Sequence, residues 1–224
     1  MKWPDRIGGM PVQLTDRDER IIWTLTRKLR VVTVDQAART WWSDRQHATK
    51  AARDRLSKLR HDGLLHLVPV MAHPEIELPG PVFCWEPGDD TPDFGPISYR
   101  LRSRWNHPVA ATTLVGATRQ AVREFGGFIA DRLPRPSEAS HDIHLAQVYL
   151  KLVGRDPALA HRWICEQQLY AEGRGRNERL PDAILRPRRG KAEDGRVIEF
   201  GGAYTKKKLE EFHEGISHSA YEIW

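Results

Sequence analysis

Cysteine is scarce in this chain: Cys84 and Cys165 are its only two, and neither has a second Cys close by. Such spacing excludes a zinc knuckle and offers no disulfide framework, so both are expected as reduced thiols. No apolar run approaches the roughly 20 residues that a bilayer span requires, and no membrane partner is expected. The opening MKWPDRIGG lacks the apolar core of a signal peptide, which makes a soluble, cytoplasmic protein the expectation. A Walker loop and a Rossmann glycine pattern are both missing, since GRGRNERL has glycines without the preceding strand or the spacing. Nucleotide hydrolysis is therefore not expected. His141 and His144 stand three apart with no third ligand nearby, too few for a metal centre.

What is present is a modest cationic excess, 35 Lys plus Arg against 30 Asp plus Glu, for a formal charge of +5 over 224 residues. That balance favours polyanionic partners, and its distribution decides which. The length suffices for two domains, each with a core.

The amino-terminal part reads as three helices and two strands. LTDRDERIIWTLTRKLR starts with a Thr15 to Asp18 capping pattern and lines Ile21, Ile22, Leu25 and Leu29 along one helical face. In VVTVDQAARTWW a β-branched start leads to a short helix that Asp35 could cap. SDRQHATKAARDRLSKLRHDG, capped by Ser43 or Asp44, runs Ala48, Ala52, Leu56 and Leu59 down one side and ends at Gly63. LLHLVPV and PVFCWEP then read as the two strands of a hairpin, with the acidic loop MAHPEIELPG between them. This order predicts a winged helix-turn-helix, domain 1–90, closed by the connector EPGDDTPDFGP. On its third helix Arg45, Gln46 and Thr49 are the residue types that read base edges in a major groove. Lys50, Arg53, Lys58 and Arg60, with Arg39 from the preceding helix, are suited to phosphates. Double-stranded DNA is the implied partner, and a homodimer would set the spacing of two half-sites.

Domain 91–224 is expected to be α/β. Helical spacing runs through Leu114, Ala117, Ala121 and Phe125 until Gly126 and Gly127 break it. A second apolar stretch, DIHLAQVYLKLVG, follows, and RDPALAHRWICEQQLYAEG starts with Asp156 before Pro157 as a helix would. AILR and RVIEFG read as strands joined by PRRGKAEDG, TKKKLEEFHEGI as a helix, and HSAYEIW as a last strand. If the two strands turn symmetrically between Gly190 and Lys191, Asp182 lies opposite Glu199, with Ile184 and Val197 on the same face. Two adjacent carboxylates at a sheet end could ligate Mg²⁺. GRGRNER and RPRRGK add a second basic cluster, with Arg174, Arg176, Arg188, Arg189 and Lys191.

At this point the sequence resembles the PD-(D/E)XK, or restriction-endonuclease-like, fold: a helix with Glu166, the Pro181-Asp182 strand, the Glu199 strand and a helix. In active members a Lys two residues after the Glu serves the attacking water, whereas Gly201 stands there in this chain. Lys206 or Lys208 on the next helix would be the displaced cation, and Glu166 a supporting acid. The order of parts, with PDA, IE, a Gly and K-L-x-x-F, is similar to the replication-relaxation family of plasmids and other mobile elements. There the Glu strand often continues with Asp and Gly; here Phe200, Gly201 and Gly202 follow. The resemblance implies a sequence-specific DNA-binding protein, a transcriptional regulator or an accessory factor in replication or mobilisation, with a nuclease-like domain that has lost catalysis and needs no cofactor. The alternative it leaves open is a Mg²⁺-dependent endonuclease using Asp182 and Glu199 as metal ligands.

Overall fold

The computed structural model describes residues 13–130, 134–175, 179–191 and 195–224. In chain order its elements begin α1 (Asp16–Arg27), β1 (Val32–Thr33), α2 (Val34–Trp41), α3 (Ala48–His61), β2 (Leu65–Ala72), β3 (Phe83–Trp85), α4 (Phe94–Ser103) and β4 (Ala110–Ala117). They continue α5 (Arg119–Phe125), α6 (Pro136–Arg155), α7 (Leu159–Arg162), β5 (Trp163–Cys165), α8 (Glu166–Ala171), β6 (Ala183–Leu185), β7 (Arg196–Glu199), α9 (Lys206–Ile216) and β8 (Tyr221–Ile223). The result is a mixed α/β protein with two sheets, ordered β1-β4-β2 and β3-β8-β7-β6-β5. Among the described residues no helix is long and apolar enough to cross a membrane.

Two compact units divide the chain, and both are discontinuous in sequence. One takes the chain up to Ala72 together with Val109–Leu150; the other takes His73–Pro108 and Lys151–Trp224. The single crossing expected near residue 90 is replaced by three, at 72/73, 108/109 and 150/151.

In the first unit α1 opens on the expected capping box, with the Asp18 carboxylate accepting the Thr15 N–H at 2.8 Å. Its stripe of Ile21, Ile22, Leu25 and Leu29 is buried. α2 is capped by Thr33 rather than by Asp35, because the Thr33 hydroxyl and the Gln36 side chain form a second reciprocal box. α3 starts at Ala48, later than a Ser43 or Asp44 cap would allow. Trp42 is buried, its carbonyl accepts the Arg45 N–H in a turn, and the Asp44 carboxylate pairs with Arg17 and Arg45 instead of capping. Ala52, Leu56 and Leu59 of α3 face the core.

The hairpin expected from LLHLVPV and PVFCWEP does not form. β2 pairs antiparallel with β4 along its whole length, Leu65 opposite Ala117 and Ala72 opposite Ala110, while β3 joins the other sheet against β8. β4 lies in the stretch expected to be helical. Its Thr112, Thr113 and Val115 are β-branched and suit the central strand of three. The helix begins only at Arg119, capped by the Thr118 hydroxyl, and Gly126 ends it with φ +72°. Gly127 follows with φ +139°, pressed so closely on the Thr26 carbonyl that a side chain has no room.

The second unit is built on the five-stranded sheet. The single helix expected over 156–173 is interrupted: α7 starts after Ala158 with no side-chain cap, the Asp156 carboxylate accepts the Ala158 N–H in the turn before it, and the buried Trp163–Cys165 is a strand. β5, β6 and β7 run antiparallel, and β7 and β8 are parallel. Ala183 opposes Ile198 and Ile184 opposes Val197, the register that the symmetric turn predicts. Trp85, Phe94, Leu101, Val197, Leu209, Phe212 and Tyr221 form a core between α4, α9 and one face of this sheet.

Candidate functional site

Two features merit description, one in each unit. In the first, Thr49, Lys50, Arg53, Lys58 and Arg60 are all exposed on α3, as are Arg45 and Gln46 in the turn before it and Arg39 on α2. Lys50, Arg53, Ser57 and Arg60 follow at spacings of three, four and three, so they share one stripe. Thr49 reaches the Asp35 carboxylate at 3.4 Å, and Arg45 lies 3.5 Å from Asp44. Arg55, on the same helix, is committed elsewhere. Its Nε donates to both Asp18 oxygens at 3.0 and 3.1 Å, and its Nη2 donates to the Gln13 carbonyl at 2.9 Å. Asp18 is fully buried. Burial raises its pKa, but the hydrogen bonds from Arg55 and from Thr15 outweigh that and leave it lowered. This pair fixes α3 to the start of α1 and orients the exposed stripe.

In the second unit the Asp182 and Glu199 carboxylates come together at the end of β6 and β7. The Asp182 N–H donates to Glu199 Oε2 at 3.3 Å, and the Phe200 N–H donates to Asp182 Oδ2 at 2.7 Å. Glu199 is 1% exposed. Its Oε1 accepts the Tyr204 hydroxyl at 2.6 Å and Arg179 Nη2 at 2.9 Å, and Arg179 also donates to the Tyr204 oxygen at 2.8 Å. Burial first, and then the neighbouring Asp182 charge, push the Glu199 carboxyl up to about 8, against the lowering pull of Tyr204 and Arg179. Burial and the Glu199 charge push the Tyr204 phenol up as well.

The three lysines of α9 separate by function. Lys206 and Lys207 pair with Glu210 and Glu211 at 3.8 Å each, one turn on. Lys208 instead sits 3.7 Å from the centre of the Tyr204 ring, a cation over an aromatic face. Glu166 is exposed at the start of α8, and its backbone N–H donates to the Asp182 carbonyl at 3.2 Å. Arg179 and Tyr204 escape a reading by strand period because both approach from loops. Gly201 is not an open slot for the usual Lys: a Cβ there would meet Ile223 and Leu101 side-chain atoms at 2.8 Å, and both residues are fully buried.

Mg²⁺ takes hard oxygen ligands with full octahedral access and keeps several waters. Here both Glu199 oxygens already accept protein donors, its carboxyl is inclined to keep a proton, and Arg179 brings the positive charge to the pair. The residues do not fit a divalent ion. Among the described residues no three His, Cys, Asp or Glu converge as metal ligands. His144 is buried with Nδ1 2.5 Å from the Ser140 carbonyl, and His141 lies against Asp142 at 3.5 Å. Of the second basic cluster, Arg174, Arg188, Arg189 and Lys191 are exposed, and Arg176 lies outside the described residues.

Comparison with family models, with curated proteins and with solved structures finds no match.

Proposed function

We propose that the first unit is a winged helix-turn-helix that binds double-stranded DNA through α3, and that the second is a nuclease-like unit without catalysis. The observation that carries this reading is the exposed stripe of Lys50, Arg53, Ser57 and Arg60 on the third helix of an α1-β1-α2-α3-β2-β4 order. A helix presented in this way enters a major groove, with the residues at its amino-terminal end nearest the bases. Arg45, Gln46 and Thr49 occupy that end and are suited to bidentate and single hydrogen bonds with base edges. The remaining cations neutralise phosphate and fix orientation. With the resemblance to the replication-relaxation family, this makes the protein a transcriptional regulator or a replication or mobilisation accessory factor of a mobile element. A dimer would read two half-sites.

The test is titration of labelled duplex DNA at several salt concentrations with the wild type and an Arg45→Ala, Arg53→Ala double variant. Each lost phosphate contact reduces the slope of log affinity against log salt by about 0.9. The double variant is expected to bind at least tenfold more weakly with a shallower slope; unchanged affinity and slope would overturn the assignment. Incubation with supercoiled plasmid and Mg²⁺ or Mn²⁺ separates the endonuclease alternative. Metal-dependent cleavage lost in Asp182→Ala would make the second unit an enzyme.

A further inference from the structure

The inner face of α4 belongs to the core of the second unit. Phe94, Ile97 and Leu101 are buried there, and the Ser98 hydroxyl donates to the Tyr204 carbonyl at 2.9 Å. The outer face of this anchored helix is built differently. At about 100° per residue, Arg102, Tyr99, Ser103, Pro96 and Arg100 follow one another around the helix, and all of them are exposed. Tyr99 is 75% exposed, so its ring stands in water between the two arginines.

Neither guanidinium is spent within the chain. α4 contains no Asp or Glu, and the Arg100 and Arg102 side chains have no hydrogen bond or ion pair among the described residues. Asp93, just before the helix, is engaged in capping, its carboxylate accepting the Gly95 N–H at 3.0 Å. Both cations lie in the last turn, where they offset the helix dipole. The dipole accounts for the two charges and not for the ring between them.

An exposed aromatic flanked by unpaired cations meets the two needs of an unpaired nucleic-acid strand: charge for its backbone and a flat face for its bases. A duplex presents the same phosphates but keeps its base faces stacked inside. An acidic polypeptide presents carboxylates with no base to stack. Either partner would use the arginines and leave Tyr99 idle. We propose that the outer face of α4 binds single-stranded nucleic acid, with Tyr99 stacked on a base and Arg100 and Arg102 on the neighbouring phosphates. The proposal does not rest on the duplex-binding reading of α3.

The experiment uses the full chain and fluorescein-labelled strands of about 12 nucleotides, oligodeoxythymidylate and oligouridylate. It is done in the Arg45→Ala, Arg53→Ala background, so a failure of the α3 reading would leave its outcome standing. Saturable binding is expected, and the tighter strand identifies the sugar. Tyr99→Ala should weaken binding at least tenfold and Tyr99→Phe should retain it, because the ring and not the hydroxyl stacks. Arg100→Ala with Arg102→Ala should lower the slope of log affinity against log salt by about 1.4, at about 0.7 per phosphate. An abasic strand of the same length carries the charges without the bases and should bind as weakly as the natural strand binds Tyr99→Ala. Absence of saturable binding, equal affinity for natural and abasic strands, or a Tyr99→Ala variant without effect would each overturn the proposal. So would displacement of the strand by polyglutamate at equal charge, which would make this face a dock for acidic protein.

Discussion

Glu199 concentrates the chemistry of the second unit in one side chain. Burial and the neighbouring Asp182 charge push its carboxyl up from an ordinary 4.5 to about 8. Between those values the folded state holds more proton than the unfolded chain, so stability falls as pH rises through that window and is constant above it. Glu199→Gln imitates the protonated form. The variant is expected to melt several degrees above wild type at about pH 9 and to match it at about pH 4, with thermal unfolding followed across the range. A variant that tracks wild type at every pH would show that folding does not raise the carboxyl's pKa. Gly201 supports a separate expectation. Gly201→Lys forces a side chain against Leu101 and Ile223 and carries a charge into a buried position, so it should cost about 2–4 kcal/mol in chemical denaturation and bring no DNA cleavage. The pairing of Asp182 with Glu199 was legible because the intervening stretch turns about its centre and side chains alternate with period two. Arg179 was not legible, since loop residues follow no period. Lys208 could have been picked from its neighbours: Lys206 and Lys207 each have a Glu four residues on, whereas Lys208 has the buried Phe212.

Elements were legible where their signals are local and obscure where their partners are distant. The capping box of α1 and the stripe of α3 are written within a few residues, and both formed. The spacing Leu114, Ala117, Ala121, Phe125 fits a helix by count, yet Thr118 divides it into the end of β4 and the start of α5. β2 is nearer in sequence to β3 than to β4, and nothing in an isolated strand announces that it pairs with the more distant one. Local signals also hide what an element rests on. Asp18, read as a cap, is the buried partner of Arg55 and ties α3 to α1. Removing one member of such a pair leaves an unmatched group in the interior, and Arg55→Ala is expected to cost about 3 kcal/mol. The Asp18 carboxyl is held below its ordinary 3.8, so the stability it contributes is present above that pH and is lost as pH falls through the lower folded value. Asp18→Asn should therefore be less stable than wild type at neutral pH and converge with it in strong acid. A constant difference down to about pH 2 would mean that the charge contributes nothing.

At the scale of the molecule the important fact is that neither unit is a continuous piece of chain. The sheet of the first unit has the order β1-β4-β2, with β4 supplied by residues 110–117 and β2 by residues 65–72. A fragment of residues 1–90 contains the three helices and the whole stripe on α3, and by sequence it is a complete domain. By topology it lacks the central strand. Without β4, the backbone of β2 loses its only sheet partner among the described residues, β1 loses its own, and Val32, Leu65 and Leu67 lose the strand they oppose. Unpaired buried amides and carbonyls cost about 1–3 kcal/mol each, so a handful of them equals the 5–15 kcal/mol by which a typical domain is stable. The fragment is therefore expected to show no cooperative thermal transition and to bind duplex DNA at least a hundredfold more weakly than the full chain at equal salt, although every candidate reading residue is present in it. Circular dichroism melting and the same labelled duplex provide both measurements. A fragment that unfolds cooperatively and keeps full affinity would mean that the three helices hold their own core and that α3 needs no sheet behind it. That result would return the boundary to residue 90, and the later strand would become an addition to a domain already complete.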